Sequence, residues 1–197
     1  NGGQNCHSLL LFKLIDQFWD SDSSPFSFHS FSACKRGLCQ SHNSSNDLIL
    51  SGMGLDSLNA SMWGSTTDAA AYFSRWDGFE FTDPTRVTPM GMEIFTASWA
   101  GPDIAAFGDT IYVVCKENPE DMAPAYCIHS YDGGATFSEP VVVDGMLGDN
   151  ISRFPSVAVN EEGQPIVAFM RLDSDFGNAR YVVASSDDFG NTFNMDV

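Results

Sequence analysis

A planar guanidinium grips a carboxylate through paired, charge-assisted hydrogen bonds, so arginines beside strand ends are the first candidates for chemistry in this chain. Six arginines occur in 197 residues, and Arg153, Arg171 and Arg180 fall beside short β-rich runs. Arg153 opens Arg153-Phe154-Pro155 just before an apolar run. It has two readings: a ligand for a substrate carboxylate, or a brace at a strand entrance paired with a neighbouring carboxylate. His7, His29, His42 and His129 share no ligand spacing, and Cys34, Cys39 and His42 match neither a haem attachment signature nor a paired zinc knuckle. No metal site is predicted from them.

The carboxylates with the clearest pattern are Asp132 and Asp188. Ser130-Tyr131-Asp132-Gly133-Gly134-Ala135-Thr136-Phe137 and Ser186-Asp187-Asp188-Phe189-Gly190-Asn191-Thr192-Phe193 both read Ser-x-Asp-x-Gly-x-Thr-Phe, with the two aspartates 56 residues apart. The same step back reaches Ser74-Arg75-Trp76-Asp77-Gly78-Phe79-Glu80-Phe81, which keeps Ser, Gly and Phe but carries Trp for Asp and Glu for Thr. In such an octapeptide the carboxylate accepts from backbone N–H groups a few residues on, the hydroxyls close the same turn, and Gly supplies positive φ. The final aromatic packs beneath. These are structural turns, and a repeat of this kind sets the architecture.

Ser130, Asp132, Gly134, Thr136 and Phe137, with Ser186, Asp188, Gly190, Thr192 and Phe193, resemble the Asp-box, or bacterial neuraminidase repeat, of sialidases and related β-propellers. The resemblance implies a turn between the third and fourth strands of a four-stranded blade, at the blade periphery. It implies fold more than activity, because the box occurs in many propellers that are not sialidases. A sialidase-like site also needs several arginines on the substrate carboxylate, a Tyr activated by a Glu, and an Asp as acid and base. Arg153-Phe154-Pro155 is similar to that family's Arg-Ile-Pro element and would point Arg153 toward the central channel. It precedes the third visible repeat, whereas the family's element belongs to an early blade, and the matching place one blade earlier reads Ala100-Gly101-Pro102.

Short runs rich in Val, Ile, Tyr and Phe, broken by Gly or Pro about every ten residues, predict strands rather than helices. In the last repeat these are Ser156 to Val159, a turn at Asn160-Glu161-Glu162-Gly163, Ile166 to Met170, and Tyr181 to Ser185. One repeat earlier they are Asp103 to Ala106, Thr110 to Cys115, Ala125 to Ser130 and Pro140 to Val143. The predicted class is all-β, built from propeller blades of four antiparallel strands in an incomplete ring with about three blades visible. Residues 51–197 hold the blades, and residues 1–50 form a divergent Ser- and Phe-rich segment. The expectation is a piece of a longer polypeptide, or a chain whose ring is completed by further blades or other subunits. The alternative is an open stack with exposed strand edges. Leu9 to Ile15 and the aromatics Phe26, Phe28 and Phe31 are expected to cover one end.

A formal charge of −17, from 26 acidic and 9 basic residues, argues against nucleic acid or anionic lipid as a partner. The acidity is a solubility device or, in the other reading, a surface for calcium or a cationic partner; no other cofactor is expected. Leu9 to Ile15 is too short and too charged to span a membrane. Cys115 closes one predicted strand and Cys127 lies in the next, so a disulfide between them is expected. With acceptor patterns at Asn43, Asn59 and Asn150, it points to a secreted, extracellular or cell-surface protein.

The leading functional expectation is a noncatalytic β-propeller module that binds a protein or glycan partner. The alternatives are a fragment of a sialidase-like glycoside hydrolase and a structural subunit of an extracellular assembly. Of the substrate ligands such a hydrolase would need, only Arg153 is assigned from sequence.

Overall fold

The computed structural model describes residues 60–77, 79–97, 100–121, 123–145 and 151–196, together with the backbone of four short strands ahead of them. The expectations for Leu9 to Ile15 and for Phe26, Phe28 and Phe31 lie outside these residues. Every regular element among the described residues is a strand. In chain order they are β1 (Ala33–Cys34), β2 (Gly37–Leu38), β3 (His42–Ser44), β4 (Asp47–Leu50), β5 (Ala60–Ser65), β6 (Ala70–Arg75), β7 (Thr85–Arg86) and β8 (Asp103–Phe107). Then follow β9 (Thr110–Lys116), β10 (Ala125–Ser130), β11 (Val141–Val142), β12 (Ile151–Val159), β13 (Pro165–Leu172), β14 (Arg180–Ser185) and β15 (Asn194–Asp196).

Apart from the small pair β1-β2, neighbours in sequence pair antiparallel into three sheets, ordered β3-β4-β5-β6-β7, β8-β9-β10-β11 and β12-β13-β14-β15. The last two are the predicted four-stranded blades, and the predicted strands fall inside the observed ones except Pro140 to Val143, of which only Val141–Val142 is strand. The first sheet takes in β3 and β4, so it begins before residue 51, where the sequence divides the chain. The fold is all-β, an unclosed series of blade-like antiparallel sheets.

Alternation along each strand fixes which side chains enter which joint. Along β9, Ile111, Val113 and Cys115 face the first sheet and, with Ile128 of β10, meet Met62 and Phe73 in one buried core. Tyr112 and Val114 face the third sheet and join Cys127, Val167, Phe169 and Val182 in a second core. The middle sheet is thus apolar on both faces. Buried Asp103 at the head of β8 ties it to β12, accepting from the Ser156 hydroxyl at 2.7 Å and the Val157 N–H at 3.0 Å.

This alternation corrects the expected disulfide. Cys115 pairs in register with Tyr126, and Cys127 with Val114. A one-residue offset turns the two side chains to opposite faces of the sheet. Both thiols are free and buried in different cores, and burial pushes Cys115 up to about 12 and Cys127 higher still. Alkylation followed by peptide mapping should therefore find both unreacted in native protein and both labelled as free thiols after denaturation. Recovery of a linked Cys115–Cys127 peptide would refute this register.

The two octapeptides form the predicted turns. Asp132 accepts from the Thr136 hydroxyl at 2.6 Å, the Thr136 N–H at 2.9 Å and the Ser130 hydroxyl at 2.7 Å. Asp188 repeats this with Thr192 at 2.7 and 2.8 Å and Ser186 at 2.8 Å. The Ser130 and Ser186 hydroxyls also accept from the N–H groups of Gly134 and Gly190. At the first repeat Asp77, one residue later than the missing box aspartate, accepts from the N–H groups of Phe79 and Glu80.

Each box carboxylate is held down to about 2, from the usual 3.8, first by its threonine hydroxyl and then by the threonine N–H and the serine hydroxyl. A folded value below the unfolded one means that this contribution is complete above the unfolded value. It is lost as pH falls through about 4 toward about 2. Acid titration of folding should show a loss of stability in that window, and Asp132→Ala and Asp188→Ala proteins should lack part of it while being less stable at pH 7. Variants with the parent's thermal unfolding curve and acid limb would rule out the turn's role.

Candidate functional site

Antiparallel order sorts the loops onto two edges. The box turns follow the third strand of each blade and share one edge with the β8-β9 and β12-β13 turns. The opposite edge gathers the starts of β8 and β12, the end of β9, the β9-β10 loop and the end of β13. Nearly all the candidate chemistry lies on this second edge, at the joint between the middle and last sheets.

Arg153 reaches that edge through an irregularity in β12. The ladder to β13 shifts between Arg153 and Ser156, and Phe154 adopts φ of 56°. Pro155, read from sequence as preceding the strand, lies within it; a bulge is where a strand tolerates a residue without an N–H. Arg153 is held across the joint by the 118–121 loop. Its Nε donates to Asp121 Oδ1 at 2.8 Å, Nη2 contacts the same oxygen, and Glu120 Oε2 lies 3.6 Å from Nε. The Phe176 ring sits 5.3 Å from the guanidinium carbon, within cation–π range.

Beneath this pair is a buried network. Lys116, at the end of β9, donates to Ser152 Oγ at 2.9 Å and to the Ala123 carbonyl, with Asp144 Oδ2 at 3.9 Å. Asp144 Oδ2 also accepts from the Ser152 hydroxyl and, at 2.8 Å, from the Ala125 N–H. Burial lowers the Lys116 ammonium while Asp144 and Glu120 push it back up. Burial raises Glu120, against the pull of Arg153. Lys116 and Glu120 also line a small cleft with Phe95, Ala100, Gly101, Phe154 and Pro155.

Among the described residues, no other arginine pairs with Asp121 or Glu120. Arg180 pairs with Asp173 at 3.4 Å on the surface, and Arg171 has a buried Nε with no hydrogen-bond partner. A Tyr and a Glu do come near each other, which the sequence alone could not pair: burial first, and then the Glu117 charge, raises the Tyr126 phenol. Tyr126 packs on the core shared with the first sheet, however, whereas Arg153 works in the joint with the last. Among the described residues no group of three or more His, Cys, Asp or Glu side chains is placed to hold a metal ion. His129 is a buried β10 residue tilted against Tyr131, with ring centroids 4.6 Å apart.

The sequence singled out Arg153 and missed its partners. Glu120 and Asp121 sit in a Pro-containing loop with no motif, and Asp144 and Ser152 look like ordinary polar residues beside a turn. The one available signal was Lys116, a charge directly following the apolar run Ile111 to Cys115.

No protein-family model matches the chain, and no curated protein matches it. Among solved structures it is similar to a Hadza microbial sialidase, Hz136, at 17% identity and a TM-score of 0.48, covering 76% of this chain and 34% of that one. It is also similar to an exo-β-1,3-galactanase from Phanerochaete chrysosporium, at 11% identity and a TM-score of 0.49, covering 80% of this chain and 36% of that one. The chain thus spans about a third of the length of either enzyme.

Proposed function

We propose that this chain is a noncatalytic, blade-built module that binds a glycan at the cleft between its middle and last sheets, and that the sugar it takes is uncharged. The observation that carries this reading is the state of Arg153, whose guanidinium is already engaged by Asp121 and Glu120. An arginine so occupied offers little to an anionic sugar, and a surface of net charge −17 repels one. Phe95, Phe154 and Glu120 line the cleft, and a neutral sugar would use such rings for its C–H face and such a carboxylate as acceptor for a hydroxyl. Action outside the cell or on its surface belongs to the same reading. It is supported by the three glycosylation acceptor patterns and gains nothing from the free Cys115 and Cys127.

A printed panel of neutral and sialylated oligosaccharides tests the proposal. The parent should retain neutral glycans. Phe154→Gly, which removes the ring but accommodates positive φ, and Glu120→Gln should each lower retention about tenfold, the loss expected for one ring or one charged hydrogen bond. Retention of sialylated glycans alone, or of none, would overturn it, as would neutral binding indifferent to both substitutions.

A further inference from the structure

Both internal joints are made by the same parts in the same register. The hairpin after the third strand of one sheet sits on a cross-strand row of the sheet before it. In the first joint Gly134 lies so close to Phe73 that an added Cβ would be 2.2 Å from the ring, and Phe137 meets the same ring edge-on at 5.7 Å. In the second, Gly190 lies on Tyr112 and His129, which face each other across β9 and β10, and Phe193 packs into the second core. Phe73, His129 and Ser185 recur at the 56-residue step, and each is paired in register, with Met62, Tyr112 and Ile166 respectively.

Among the described residues, one hairpin and one row are left without these partners. The hairpin after β6 carries Phe81 where the boxes carry Phe137 and Phe193. Instead of entering a core, Phe81 is 53% exposed, packed edge-on against Trp76 and next to Phe79, which is 91% exposed. The open row is Ala158, Ile166 and Ser185 across β12, β13 and β14. It lies on the face of the last sheet turned away from the second core, in a satellite apolar cluster with Ala168 and Val183. The sizes are reversed relative to the internal joints, which set a glycine against a large ring. Here the rings stand on the hairpin and the small side chains on the receiving row.

We propose that the Trp76–Phe81 hairpin of one copy of this chain docks on the Ala158–Ile166–Ser185 row of a second copy, in the register of the internal joints. The contact is heterologous, head to tail, so it extends or closes the series of sheets rather than making a two-fold dimer. Because both copies carry −17, screening by salt strengthens it.

Light scattering of the chain from about 1 to about 300 μM, the range in which micromolar contacts fill, reads this directly. The expected result is a weight-average mass that climbs from 21.5 kDa to at least twice that value, with the rise at lower concentration in higher salt. Phe81→Ser in the hairpin and Ser185→Arg in the row are both at partly exposed positions, and thermal melts verify that each variant folds. Each alone should remain at 21.5 kDa, while an equimolar mixture should form a 1:1 dimer and nothing larger, since each supplies the half that the other lacks. A parent monomeric throughout, association untouched by either substitution, or a mixture that stays monomeric would overturn the proposal.

Discussion

Replacing Gly134 by alanine is expected to cost about 2–4 kcal/mol of folding stability, read as a shift in the denaturant midpoint at unchanged slope. Two effects add at this position. Its φ of 88° belongs to a region where an L side chain is strained, and the new Cβ would stand 2.2 Å from Cε1 and 2.7 Å from Cδ1 of Phe73. The ring cannot retreat easily, because Phe73 is itself buried between the first two sheets. Gly108 separates the two effects, since it shares positive φ at 58° but has nothing within 4 Å of an added Cβ. Gly108→Ala should cost about 1 kcal/mol, the backbone part alone. In a double-mutant cycle, Phe73→Ala should relieve much of the Gly134→Ala penalty. Equal costs at Gly108 and Gly134, or strict additivity with Phe73→Ala, would show that the box turn does not rest on the preceding sheet.

Lys116→Met should be at least as damaging, at about 3–5 kcal/mol, because it strands a buried carboxylate. Asp144 is 2% exposed, and Lys116 is the cation nearest to it; the Ser152 hydroxyl and Ala125 N–H would be left to stabilise its charge alone. Methionine keeps the length and apolar stem of lysine, so the loss reports charge rather than volume. The double variant Lys116→Met, Asp144→Asn should regain part of it, since the amide carries no charge to strand. Urea melts of the single and double variants measure this, and a loss below about 1 kcal/mol would place the network in contact with water.

Much of the fold was legible because it is written in a local code. Ser130 to Phe137 and Ser186 to Phe193 specify their turns from within eight residues, and the runs between them alternate over distances shorter than one strand. The cysteines were misread because a disulfide depends on register. A one-residue offset between Cys115 and Cys127 reverses the outcome, and nothing in either strand's composition reports it. The hairpin at Asp77 was read as a degraded box, yet its carboxylate makes the same kind of turn from a position one residue on. The site was the least legible part. Arg153 was found through a tripeptide, but its state is set by Glu120 and Asp121, more than thirty residues away in sequence and brought to it only by the packing of two sheets. Pro155 misled for a related reason, since only the bulge beside Phe154 lets a proline sit inside β12.

The most direct test of the functional account is turnover of a fluorogenic sialoside by the purified chain, run beside its Arg153→Ala variant and across acidic to neutral pH. With Arg153 held by Asp121 and Glu120, and the Tyr126–Glu117 pair facing the other joint, both proteins should release fluorophore at the rate of buffer alone. Release by the parent above that rate, lost on Arg153→Ala in a variant that still melts as a folded protein, would contradict a noncatalytic role and make the hydrolase fragment the better description.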